Sequence, residues 1–188
     1  ILAAPAQATR ALLKELVPLL AKGTPLMLSA KGIEQNSGKL LPEILAEEAP
    51  GHPVAILSGP SFAREVASGL PTAVTIAAEA ALAARLQMTL STPSFRPYAS
   101  DDVMGVALGG AAKNVYAIAC GVVEGLGLGE NARAALLARS FAELARLGEA
   151  LGARRETLMG LSGLGDLVLT ATSRSSRNFS VGIELGQG

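Results

Sequence analysis

Between Asp102 and Glu124 the chain carries a single charged residue, Lys113. The stretch around it, Gly105-Val-Ala-Leu-Gly-Gly-Ala-Ala-Lys-Asn-Val115, is too apolar for a solvated surface helix and long enough for a buried one. A lysine inside such a helix must either snorkel to water or meet a ligand or a carboxylate. Gly109 and Gly110 lie about one turn before it. Glycines there weaken a helix by roughly 1 kcal/mol each, and they let another backbone or a small molecule approach the helix surface.

Upstream of this run, short apolar segments alternate with helical patterns. Ile1–Ala4, Pro25–Ala30, Val54–Ser58 and Thr72–Ala77 read as strands, and Phe95–Ala99 as a last edge strand. The helices between them are expected from Pro5 to about Leu20, over Gly38–Glu47, Pro60–Ser68 and Glu79–Leu90, with Pro5 at the first helical position that proline favours. Such alternation predicts a parallel, doubly wound α/β sheet. Downstream the pattern is all-helical: Asp102–Gly125, Asn131–Leu151 and Arg177–Leu185, interrupted by a glycine-rich stretch from Gly160 to Asp166. The expected boundary lies near Ser100, with residues 1–100 forming an α/β part and 101–188 a helical one. The chain opens on Ile1 with an apolar segment already under way, which suggests a start inside a domain.

Composition narrows the function classes. Of the 188 residues, 49% are hydrophobic and 17% charged, as in a globular protein with a sizeable core. Sixteen basic and sixteen acidic residues cancel, so no nucleic acid partner is expected. No uninterrupted apolar run reaches the ~18 residues of a membrane span, and no signal peptide is seen. The single cysteine, Cys120, fits a reducing cytoplasm. His52, the only histidine, stands between Gly51 and Pro53 and reads as a loop residue, which disfavours a zinc site or a histidine-based triad.

In open sheets ligands gather beyond the carboxyl ends of the strands. One such end carries Ala3-Ala4-Pro5, a second puts Lys31 just past its strand, and a third is Leu57-Ser-Gly-Pro-Ser-Phe-Ala63, a strand–turn–helix able to offer N–H groups to an anion. Taken singly, Lys31 also reads as a surface loop lysine, and Ser58 or Ser61 as helix caps. In the helical half, Asp166 is either a helix cap or the carboxylate partner of Lys113, and Thr170 falls one turn later on the same face. Ser173-Arg-Ser-Ser-Arg-Asn178 combines guanidinium forks with neutral donors, a set suited to phosphate, although it also reads as a solvated loop. No G-x-G-x-x-G occurs; Gly125-Leu-Gly-Leu-Gly129 comes near it but lies between helices.

Several stretches together resemble the bacterial-type NAD(P)-dependent glycerol-3-phosphate dehydrogenases. They are Ser29-Ala-Lys-Gly-Ile33, Ser58-Gly-Pro-Ser-Phe-Ala63 with Glu65-Val66, Gly69-Leu-Pro-Thr-Ala73, the Gly105–Val115 run, Gly125-Leu-Gly-Leu-Gly-Glu-Asn-Ala-Arg133, Gly163-Leu-Gly-Asp-Leu-Val-Leu-Thr170 and Ser176-Arg-Asn178. The likeness covers essentially the whole chain in the family's order. It implies a partial Rossmann-type sheet followed by an all-α substrate domain. It also implies that the family's first strand and pyrophosphate loop precede Ile1, and that its last helices follow Gly188.

By the resemblance, Lys113 is the catalytic lysine that accepts the hydroxyl proton. Lys31 contacts both substrate and nicotinamide, and Asp166 is a carboxylate beside the catalytic lysine. Gly59 and Ser61 contact substrate, and Ala63 contacts cofactor. Ser176, Arg177 and Asn178 bind the substrate phosphate, with Arg177 also near the cofactor, and Thr170 is a further active-site position. The implied reaction moves hydride between NAD or NADP and glycerol 3-phosphate or dihydroxyacetone phosphate, in the cytoplasm, supplying glycerol 3-phosphate for phospholipids. Homodimerisation is left open. The competing readings are a 6-phosphogluconate or hydroxyacid type of dehydrogenase with the same layout, or a catalytically silent fragment that associates through its helices. Burial and the Lys31 cation are both expected to lower the pKa of Lys113, and Asp166 to raise it.

Overall fold

A computed structural model describes Ile1–Gly188. The first half holds four strands, β1 (Leu26–Leu28), β2 (Val54–Ser58), β3 (Thr72–Ala78) and β4 (Phe95–Ser100), in the order β1-β2-β3-β4. The helices α1 (Thr9–Leu16), α2 (Leu41–Glu48), α3 (Ala63–Ala67) and α4 (Ala80–Leu90) alternate with them. All three residues of β1 are buried, as expected of a strand covered on both faces.

The β1–β2 and β3–β4 ladders are parallel, but β2 and β3 run antiparallel, with Ser58 opposite Thr75 and Ala55 opposite Ala78. This differs from the uniformly parallel sheet expected from the alternation. The cause is the connection: α3 is a five-residue turn of helix and does not carry the chain back along the sheet. The chain therefore re-enters from the end at which it left.

Other boundaries shift for local reasons. The expected first strand is reduced to one parallel bridge, Leu2 with Leu28. The first helix begins as a 3₁₀ turn, Ala6–Ala8, and α1 gives way to another, Val17–Leu19, where Pro18 supplies no N–H for the ladder. Pro97 is accommodated in β4, at the edge of the sheet.

Arg10 on α1 ties this half together. Its guanidinium is bidentate to Glu34 at 2.9 Å on both arms, and it reaches Glu47 and Glu48 on α2. The arginine holds the Glu34 carboxyl down at about 2, from an ordinary 4.5. A depressed carboxylate contributes stability above its unfolded pKa and loses it as pH falls through the folded value. Arg10→Ala is therefore expected to lower stability at neutral pH and to move the acid-unfolding midpoint, followed by circular dichroism, to higher pH, the deficit closing as pH falls toward about 2. An unchanged midpoint would mean that the clamp contributes nothing.

After Ser100 the chain is helical: α5 (Val103–Gly125), α6 (Gly129–Ala150), α7 (Arg155–Met159), a π-helical turn (Leu161–Gly165), α8 (Asp166–Thr172) and α9 (Arg177–Gln187). Asp102 caps α5 through Gly105 N–H at 2.8 Å and also accepts from Arg154 N–H at 2.8 Å, joining the start of α5 to that of α7. By length and apolar composition α5 could cross a membrane. Here it is a core helix with ten buried residues, Lys113 among them, packed against α6, α8 and α9. Its contact with α9 runs backbone to backbone: a methyl at Gly121 would lie 2.2 Å from the Phe179 carbonyl, and one at Gly182 2.2 Å from that of Ile118. Val106 of α5 also enters the core beneath the sheet, beside Leu28 and Ile56. This contact seats the first turn of α5 against β1 and β2.

Candidate active site

Lys31 leaves the loop after β1, and Lys113 projects from the buried middle of α5. They meet at Asp166, the first residue of α8, whose side chain is 2% exposed. The Lys31 ammonium donates to Asp166 Oδ2 and to the Gly59 carbonyl at 3.3 Å. The Lys113 ammonium donates to Asp166 Oδ1 and to Thr170 Oγ1 at 3.2 Å. Thr170, one turn along α8, donates in turn to Asp166 Oδ1 at 3.2 Å. One carboxylate thus serves two ammonium groups from different halves of the chain.

The Lys113 pKa is lowered from 10.5 to about 8. Burial is the main cause, since it penalises the charged amine; the Lys31 cation adds to it, and Asp166 opposes both. An amine with that pKa is part neutral near physiological pH and can exchange a proton with a substrate hydroxyl.

A cavity of about 610 Å³ opens over this centre. Lys31, Ser61, Ala63, Lys113 and Thr170 line it, together with Ser176, Arg177 and Asn178. Of the residues expected from sequence, Asp166 lies beneath the lining and Gly59 outside it. The Gly59 carbonyl instead holds the Lys31 amine and accepts from Ser61 Oγ at 3.1 Å. Gly59 has φ +149°, and a side chain there would meet Val74 Cα at 2.9 Å, so glycine is required to bring this carbonyl in.

Ser176 is 4% exposed and caps α9 by accepting from Phe179 N–H at 3.3 Å, which leaves its O–H to donate. Arg177 makes no ion pair within the chain. The opening of α9 therefore presents a free guanidinium and unsatisfied N–H groups, a combination suited to an anion. Asn114 was not singled out from the sequence. It lines the same cavity and accepts from Asn178 Nδ2 at 2.7 Å, so the two amides fix each other's orientation. Its place directly after Lys113 was the only signal. His52 lies elsewhere, with Nδ1 2.9 Å from the Thr24 carbonyl.

A mixed α/β sheet whose strand ends face a lysine–aspartate–lysine centre, with a helical domain closing over it, defines a two-part fold with its site at the junction. The family can be stated more narrowly. Residues 1–84 match the model of the NAD-dependent glycerol-3-phosphate dehydrogenase N-terminus and residues 102–188 that of its C-terminus, and the chain belongs to that family. It is 63% identical over 185 residues to a glycerol-3-phosphate dehydrogenase [NAD(P)+] of Rhodospirillum rubrum, covering 98% of this chain and 53% of the relative. It is 59% identical to that of Parvibaculum lavamentivorans, covering 98% and 56%. The crystal structure of the Coxiella burnetii glycerol-3-phosphate dehydrogenase superposes with a TM-score of 0.95 at 44% identity, over 99% of this chain and 57% of that one. The chain spans about half the length of the curated relatives it matches.

Proposed function

We propose that this chain carries the catalytic centre for reversible oxidation of sn-glycerol 3-phosphate to dihydroxyacetone phosphate with NAD or NADP, in the cytoplasm, as a supply of glycerol 3-phosphate for phospholipids. In this reading residues 1–100 belong to the cofactor domain and 101–188 form the substrate domain. The observation that carries it is the meeting of Lys31 and Lys113 on Asp166, beneath a cavity that the unpaired Arg177 also lines. The residues fit the nicotinamide end of a dinucleotide: small Ala63, with Lys31 and Arg177 as cationic contacts, would hold it. When bound, the nicotinamide supplies the hydride acceptor.

The protein's own residues handle the proton and the placement. Neutral Lys113 takes the proton of the C2 hydroxyl, and Asp166 with Thr170 aims its amine. Burial, and after it the Lys31 cation, keeps the Lys113 amine partly neutral, and Lys31 offers a donor to the substrate oxygen. Arg177, Asn178 and the start of α9 grip the phosphate, so that binding remote from C2 positions the reacting carbon. Asn114 keeps Asn178 turned for that contact.

The test is a substrate panel on the full-length polypeptide. Oxidation of NADH or NADPH with dihydroxyacetone phosphate is expected, and turnover only with 6-phosphogluconate or a hydroxy acid would displace the proposal. Arg177→Ala is expected to raise KM for dihydroxyacetone phosphate roughly 10–100-fold, the worth of a charge-assisted contact, with kcat changed only a few-fold. An unchanged KM would remove Arg177 from the phosphate site.

A further inference from the structure

Two buried glycines in the middle of α5 take no part in lining the cavity. A methyl group on Gly109 would stand 2.7 Å from the Ser162 carbonyl and 3.1 Å from Gly163 Cα, both in the π turn that ends at Asp166. On Gly110 it would stand 2.9 Å from Ser58 Oγ and 3.2 and 3.3 Å from Cγ and Cδ of Lys31. Lys113 follows one turn later on the same helix. Each glycine is thus in direct contact with a segment that carries a different partner of Lys113. The Ser58 hydroxyl is buried with no hydrogen-bond partner in the chain, so its contact with α5 acts through shape. The π turn is itself locked from behind, since a methyl on Gly163 would lie 2.0 Å from the Leu158 carbonyl. A helix interior disfavours glycine, and two in succession at this spot call for a reason.

We propose that Gly109 and Gly110 are positioning residues: α5 closes to near-backbone contact through them, and this sets how far Asp166 and Lys31 stand from the Lys113 ammonium. The proposal rests on the reading of Lys113 as the base. The charged groups facing Lys113 are Lys31 from the loop after β1 and Asp166 from α8, with Arg177 of α9 lining the same cavity. A methyl at 110 pushes the Lys31 stem away and removes a repelling cation, so Lys113 holds its proton more tightly. A methyl at 109 pushes the π turn and Asp166 away and removes an attracting anion, so Lys113 holds its proton less tightly.

The experiment is the pH dependence of kcat for glycerol 3-phosphate oxidation by the full-length polypeptide, as wild type, Gly110→Ala and Gly109→Ala. The limb governed by Lys113 is expected to move up by roughly half a pH unit or more in Gly110→Ala and down by a similar amount in Gly109→Ala. A merely structural role would lower thermal stability and leave both profiles on that of the wild type. Superposed profiles, or shifts in the same direction, overturn the proposal. If Gly109→Ala yields no soluble protein, the upward shift in Gly110→Ala decides alone. Titration of the Lys113 side-chain nitrogen by NMR reads the same displacements without turnover. A wild type inactive on glycerol 3-phosphate would count against the proposed function, while the NMR shifts still decide the role of the glycines.

Discussion

Replacing Lys113 by alanine in the full-length polypeptide is expected to lower kcat for glycerol 3-phosphate oxidation by roughly 10²–10⁴-fold, the usual worth of a positioned general base, with the fold retained. The charge arithmetic supports retention: Asp166 keeps Lys31 as its counterion. The amine removed is one that burial already holds at about 8, so its charged form is unfavourable inside the protein. Its loss offsets part of the packing lost with the stem. In the wild type, oxidation needs neutral Lys113, and kcat should climb to a plateau as pH passes about 8. Reduction needs the ammonium and should decline over the same interval. Both limbs should vanish in Lys113→Ala, and a small primary amine in the buffer should restore part of the rate. A variant that keeps its rate and its pH limb would show that the proton goes elsewhere.

Lys113 was legible in the sequence because one charge in a long apolar helix is an anomaly that burial must resolve. Thr170 was legible as the residue one turn after Asp166, and its hydroxyl does bond to that carboxylate at 3.2 Å. Periodicity reports which residues share a face, and the expected α5 and β2 match the structure closely, whereas α7 and α8 were not among the helices expected. It carries nothing about the direction in which a strand is entered, so the antiparallel β2–β3 pair had no signal beyond the brevity of α3. The π turn was equally hidden: its glycines announced an interruption, but the i→i+5 bond from Gly165 N–H to the Gly160 carbonyl depends on how the turn seats on α5. Asn114 escaped notice because its partner, Asn178, is distant in sequence. The Arg10 clamp escaped for the same reason, being assembled from α1, α2 and the loop that carries Glu34. Charges that meet only in three dimensions leave no spacing to read.

Asp166→Asn should be the more damaging change to the protein as a whole. The substitution keeps the shape of the side chain and leaves two ammonium groups facing a neutral amide. Removing one member of a buried ionic cluster costs on the order of 3 kcal/mol, and Lys31, 20% exposed, can relieve part of that by swinging toward water. Lys113, 11% exposed at its side chain, cannot do so as readily, and it must give up its proton instead. The sign of the pH dependence follows. In the wild type Lys113 binds its proton less tightly folded, at about 8, than at its ordinary 10.5, so this group's contribution to stability rises with pH between those values. Without the attraction of Asp166 the folded pKa drops further, and the rise begins below pH 8. The stability deficit of Asp166→Asn, measured by denaturant unfolding, should therefore be greatest in mildly acidic solution, narrow as the pH rises to about 8, and stay constant above it. The rate should fall as well, by roughly 10²-fold or more, because an unaimed amine loses much of the advantage of a positioned base. A deficit that ran parallel to the wild type at every pH would assign the carboxylate to packing alone. Thr170 would then be left as the only group that aims the base.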